Sequence, residues 1–181
     1  MRSMKKVYGI VMLLIGVFFI STESMAQYCT PTMGSNWGNI RNVVTTGGTV
    51  NISKNTGSFT GTGAARNYTS TDSVSTNYGQ TFTLAVTRTY GSGVWVDWND
   101  DGDFFDAGET HLLETSYSSA QSVFTLPITV PNNAAYGQLR MRIMVAYTFN
   151  MRPCGYSSYT GETEDYRIWI PKPKTNDAGI T

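Results

Sequence analysis

Histidine, cysteine and charge are all scarce in this sequence. Its 181 residues include one histidine, His111, and two cysteines, Cys29 and Cys154. A single imidazole argues against a zinc site built on several histidines and against a Ser-His-Asp triad. No H-E-x-x-H is present, and the stretch 155–161, GYSSYTG, is not a G-x-S-x-G nucleophile elbow. Only 14% of residues are charged, with 13 Lys+Arg against 13 Asp+Glu. Setting aside residues 1–26, which hold Arg2, Lys5, Lys6 and Glu23, leaves 10 basic and 12 acidic side chains. That balance lacks the concentrated positive charge needed to displace counterions from nucleic acid. Helical periodicity is missing after residue 26, and 18 glycines with 6 prolines speak against a helical bundle. Disorder is disfavoured too, because 13% aromatic residues supply enough ring surface for a core.

The one long apolar run is N-terminal. Residues 7–20, VYGIVMLLIGVFFI, follow Arg2, Lys5 and Lys6 and precede Ser24-Met25-Ala26. Fourteen residues are short for a membrane span, which needs about 20. The pattern predicts a secretory signal peptide over 1–26, cleaved after Ala26, with no membrane span thereafter. An uncleaved anchor is the competing reading. Gln27 and Tyr28 before Cys29 do not make a lipobox. Export into an oxidising compartment predicts one disulfide, Cys29 to Cys154, with two buried free thiols as the alternative.

Residues 27–171 read as short strands. Phe82, Leu84 and Val86 alternate with threonines in 81–87, and Phe124, Leu126, Ile128 and Val130 repeat the pattern in 124–130. Leu139, Met141, Ile143, Val145 and Tyr147 share one face of 139–147, with Arg140 and Arg142 on the other. Tyr166, Ile168 and Ile170 point inward in 166–170. Period-two alternation marks half-buried strands. Fainter signals lie at 40–45, 48–53, 93–98 and 110–116. Turn residues such as Gly47-Gly48, Gly91-Ser92-Gly93 and Pro131-Asn132-Asn133 separate the runs. About eight strands predict an all-β fold, an antiparallel β-sandwich of jelly-roll type. Residues 172–181 read as a linker or the start of a following module.

Acidic residues are clustered. Six of the 12 fall in 97–109, DWNDDGDFFDAGE, with no basic residue among them, and three more in 161–166, GETEDY. Asp97, Asn99 and Asp101 occupy positions 1, 3 and 5 of a loop with Gly102 at position 6, the start of an EF-hand-like calcium loop. Alternate oxygens converge on one ion as the chain wraps round it, and the glycine permits the turn. Asp103 supplies a backbone carbonyl in this scheme, Glu109 closes the loop, and Asp106 is a supplementary ligand. Glu109 stands at position 13 and the flanks VWV and HLL are strand-like, so the loop belongs in a β-hairpin. An all-oxygen ligand set suits Ca²⁺ and not zinc. A solvated acidic turn without metal is the alternative. Glu164 and Asp165 either add to a metal shell or form ion pairs with Arg140 and Arg142.

The stretch VWVDWNDDGDFFDAGE, the strand LRMRI and Gly161-Glu162-Thr163-Glu164-Asp165 together resemble the GEVED domain family, named for its Gly-Glu-Val-Glu-Asp motif. Thr163 stands where that motif has valine. Tyr28-Cys29 and Cys154-Gly155 are also family-like, so the resemblance spans 28–170. It implies a secreted or cell-surface, β-rich, noncatalytic module of the kind found in exported multidomain proteins of Bacteroidetes-type bacteria. The expected function is therefore binding or spacing by a calcium-stabilised, monomeric module of a larger chain. Glycans or cell-surface proteins are the expected partners, with Tyr90, Trp95, Trp98, Tyr117, Tyr156, Tyr159 and Trp169 as candidate stacking rings. The alternative is a glycan-active hydrolase working through paired carboxylates.

Overall fold

The structure is a computed structural model that describes residues 27–174 apart from 36, 58–63 and 149; the side chains of 35, 64 and 156–159 are also left undescribed. The segment 1–26 predicted as a signal peptide, residues 175–181, and the rings of Tyr156 and Tyr159 lie outside the described residues.

The described residues form eleven strands and no helix. In chain order they are β1 (Thr32–Ser35), β2 (Ile40–Thr46), β3 (Ser53–Asn55), β4 (Ala64–Asn67), β5 (Ser73–Ser75), β6 (Thr81–Arg88), β7 (Gly91–Val96), β8 (Thr110–Glu114), β9 (Ser122–Thr129), β10 (Gly137–Ala146) and β11 (Gly155–Ile170). The smaller sheet runs β3-β2-β6-β9 and is antiparallel throughout. The larger runs β1-β11-β10-β7-β8, with β4 and β5 also on β11. This larger sheet departs from the expected antiparallel arrangement. β1, β4 and β5 all run parallel to successive parts of the 16-residue β11. They are three or four residues long, too short to display a period of their own, and the sequence carries no sign of them.

One apolar core lies between the sheets. Val43, Phe82, Leu84, Val86 and Ile128 from the smaller sheet meet Val94, Met141, Ile143, Val145, Tyr166 and Ile168 from the larger. Each set occupies alternate positions, which is why the period-two signal is legible in β6 and β9. Three of the strands that build this core, β2, β5 and β6, precede β7, so the N-terminal half of the domain is part of the same packing unit.

A second cluster covers the outer face of the larger sheet. Met33, Trp95, Phe104, Met144, Ala146 and Met151 are buried there, with Tyr28 packed against them. Both faces of β7 are therefore buried, and the same holds from Met141 to Ala146 in β10. Trp95 lies over Gly93, where an added Cβ would fall 2.2 Å from the indole ring. Arg142 is 1% exposed on that face, and Tyr147, expected inward, stands past the end of β10 and is 45% exposed.

Three loops supply the cover: residues 27–31, the β7–β8 connection, and the β10–β11 connection. The disulfide Cys29–Cys154 joins the first to the third, with Cα atoms 5.6 Å apart. Arg142 joins them again, donating through Nη1 to the carbonyls of Cys29 at 3.1 Å and Pro153 at 2.9 Å.

Candidate metal centre

The β7–β8 connection is organised by its own carboxylates. Asp97 is fully buried at the end of β7. Its Oδ1 accepts from the Asp100 amide at 2.7 Å and its Oδ2 from the Gly102 amide at 3.0 Å. The Tyr28 hydroxyl also donates to Oδ2, at 2.5 Å. Burial and the Asp97 charge together raise the Tyr28 phenol well above its ordinary pKa, so it remains a donor. Gly102 takes φ +91°, the left-handed conformation that the turn requires. Glu109 closes the loop from the other end, accepting from the amides of Trp98 at 3.0 Å and Asp106 at 3.1 Å. Burial pushes its carboxyl up to about 7, against the lowering effect of those two amides.

Between these anchors, alternate residues repeat one device. Asn99 Oδ1 accepts from the Asp101 amide, Asp101 Oδ1 from the Asp103 amide, and Asp103 Oδ1 from the Phe105 amide, at 3.3, 3.1 and 2.8 Å. Each side chain folds back on the amide two residues ahead. The alternate spacing thus serves the backbone turns and also sets the side chains side by side. Asn99 Nδ2 donates to Asp101 Oδ2 at 3.0 Å and to Asp106 Oδ2 at 2.7 Å. Among the described residues, carboxylate oxygens of Asp101, Asp103 and Asp106 lie within 4.8 Å of one another.

The predicted ligands therefore fall into two groups. Asn99, Asp101, Asp103 and Asp106 form an exposed to half-buried oxygen cluster, whereas Asp97 and Glu109 spend their oxygens on backbone amides beneath it. The exposed cluster offers hard oxygen donors of the kind Ca²⁺ takes.

The second acidic cluster lies within the sheet. Glu162 is 1% exposed, accepts from the Ile40 amide at 2.9 Å and meets Arg66 Nε at 3.2 Å. Glu164 is fully buried and accepts from the Tyr166 hydroxyl at 2.7 Å. Burial pushes its carboxyl up to about 8, with the nearby Glu162 charge adding to the rise. Asp165 points to the opposite face. It receives Arg142 Nε at 2.7 Å, Arg142 Nη2 at 2.8 Å and Arg140 Nη1 at 3.1 Å. Of the two readings left open for these residues, ion pairing describes Asp165, and Glu164 is held by a tyrosine. Gly161 lets this strand lie against β10: an added Cβ would fall 1.9 Å from the Val145 carbonyl oxygen.

His111 is half-buried in β8, and its Nε2 accepts from Trp98 Nε1 at 3.0 Å. Burial lowers its pKa, consistent with a neutral acceptor ring. Of the candidate stacking rings, Trp95 and Trp98 are core residues, while Tyr117 and Trp169 reach solvent. Tyr147 is an exposed ring the sequence reading placed in the core, and it contacts both Tyr90 and Tyr117 edge-on.

No curated protein and no solved structure is a match to the chain. The resemblance drawn from motifs covered 28–170; the family comparison covers the acidic hairpin and the two central strands after it. Residues 91–169, from the first residue of β7 to the last but one of β11, match the family model of the GEVED domain, in support of the resemblance carried by the motifs.

Proposed function

We propose that this chain is an exported, noncatalytic module whose β7–β8 loop takes Ca²⁺ and which binds or spaces within a secreted or cell-surface protein. The observation that carries the calcium reading is the juxtaposition of Asn99, Asp101, Asp103 and Asp106 on a loop pinned from below by Asp97 and Glu109. Like charges held this close repel, and a divalent cation between them removes the repulsion. Export is supported by the signal-like N-terminus and by the disulfide, which suits an oxidising compartment. No helix among the described residues is long and apolar enough to cross a membrane. A jelly-roll reading of the sandwich is supported by strands that alternate between sheets, since β6 and β9 lie in one and β7, β8 and β10 in the other.

The hydrolase alternative needs two carboxylates free to act on a glycosidic bond. Glu162, Glu164 and Asp165 are engaged by Arg66, Tyr166 and the two arginines of β10, which favours the module.

Calorimetry in chelating buffer followed by calcium titration is the test. Extracellular calcium sites can bind with dissociation constants of about 0.1–1 mM. At ~1 mM calcium such a site adds roughly 0.4–1.4 kcal/mol to folding, a rise of about 1–6 °C in Tm. Asp101→Ala should abolish most of that rise, while Asp72→Ala, whose partner is Lys54, should leave it. No heat of binding and no Tm rise in the parent protein would reduce the loop to a solvated acidic turn.

A further inference from the structure

A cavity of about 560 Å³ opens on the outer face of the larger sheet, where residues 27–31 pass over β4, β11 and β10. The sheet contributes Ala65, Asn67, Thr163, Asp165, Arg140 and Arg142 to its lining. Of the three arginines lining it, Arg66 is paired with Glu162, while Arg140 and Arg142 share Asp165, which leaves a single net positive charge. Arg142 is fully committed to Asp165 and to the carbonyls of Cys29 and Pro153. Arg140 is not. Only its Nη1 donates, to Asp165, while its guanidinium lies 3.9 Å from the Tyr28 ring centroid. Among the described residues its Nε and Nη2 have no acceptor, and its side chain is 22% exposed. That unused edge is the fork that matches a carboxylate side-on.

Thr163 supplies the second observation. It is 1% exposed, lines the cavity, and its Oγ1 has no hydrogen-bond partner among the described residues. A buried hydroxyl left unpaired costs about 1–3 kcal/mol. Valine occupies this position in the GEVED motif, so the sheet does not require the hydroxyl. Asn67 adds a further donor: its Oδ1 is taken by the amide and hydroxyl of Thr69, which leaves Nδ2.

We propose that this cavity binds a carboxylate carried on a small polyhydroxylated molecule, a sugar acid, with the carboxylate on the free edge of Arg140 and Thr163 Oγ1 hydrogen-bonded to the ligand. The volume exceeds that of a bare carboxylate several-fold and falls within the range of small-ligand pockets, about 300–1,000 Å³. Asn67, Thr30 and Gln27 suit hydroxyl groups, and Tyr28 and Pro31 provide apolar surface for a ring. The proposal rests on reading the chain as a binding module and needs no metal.

Titration in chelating buffer, followed by NMR or calorimetry, separates it from the calcium test. Glucuronate should bind saturably in the millimolar range, and glucose, acetate and glycylglycine should bind at least ~10-fold more weakly. Arg140→Gln should weaken glucuronate binding roughly 10-fold or more. Thr163→Val restores the family residue and keeps the fold, and should weaken it roughly 3–10-fold, the loss of one hydrogen bond. The proposal is overturned by the absence of saturable binding at ~10 mM glucuronate. Equal binding of glucose refutes the carboxylate contact, and equal binding of acetate or glycylglycine refutes the sugar acid. Undiminished binding by both variants places any ligand elsewhere.

Discussion

Replacing Arg142 with methionine tests how the outer face of the larger sheet is held. The side chain is 1% exposed and makes five donor contacts: two to Asp165, one each to the carbonyls of Cys29 and Pro153, and a weak one to Cys29 Sγ. Its guanidinium also lies 4.9 Å from the ring centroid of Phe104, in the β7–β8 connection. Methionine retains much of the volume but strands Asp165 and two carbonyls. Removing one partner of a buried ion pair costs about 3–5 kcal/mol, because the other charge stays buried. Arg140 still meets Asp165 at 3.1 Å, so the lower end, about 3 kcal/mol, applies to the carboxylate. For a domain of this size that lowers Tm by about 6–12 °C. Urea unfolding with the disulfide intact, followed by the fluorescence of buried Trp95, measures it. The companion variant Arg142→Met/Asp165→Leu removes the stranded charge and should recover at least half of the loss, giving a coupling term of ~1 kcal/mol or more. A loss below ~1 kcal/mol in the single variant, or a double variant no better than the sum of its singles, would refute the account of Arg142 as the brace between sheet and loops.

Three further outcomes follow from the same geometry. Gly161→Ala should destabilise by about 2–3 kcal/mol, since its Cβ would meet the Val145 backbone and not a side chain that can turn away; a Tm unchanged within error would show that β10 and β11 can part. For Glu164 the folded-state carboxyl is raised to about 8 from an ordinary value of 4.5, so the folded chain holds the extra proton and stability falls as pH rises between those values. Glu164→Gln removes that titration, and its stability relative to the parent should climb from pH 5 to pH 8 with a slope of at most about 1.4 kcal/mol per unit; a flat or falling difference contradicts burial of the acid. Unreduced protein should show no alkylatable thiol by intact mass, and Cys29→Ser/Cys154→Ser should lose about 2–4 kcal/mol; two reactive thiols in the unreduced protein would remove the covalent tie from the outer face.

Local pattern was enough wherever a residue's environment repeats along the chain. The alternation of Phe82, Leu84 and Val86, or of Met141, Ile143 and Val145, states which face meets the core, because strand geometry sends neighbours to opposite sides. The acidic hairpin was legible for a similar reason: Asn99, Asp101 and Asp103 sit two apart, and each bonds the amide two residues ahead. The pairing of two cysteines followed from there being only two. What covers the outer face followed from no such pattern. A strand's period separates its two sides but is silent on what packs against them, and here residues 27–31 and two loops arrive from far along the chain to bury Trp95, Arg142 and Met144. The acids of Gly161–Asp165 show the same limit: contiguous in sequence, they are divided by the pleat, Glu162 and Glu164 facing one side and Asp165 the other. Glu164 meets Tyr166 two residues along the same strand, but Glu162 meets the Ile40 amide of the other sheet across 122 residues and Asp165 meets the arginines of β10 across the β10–β11 pairing, contacts which only the folded chain makes.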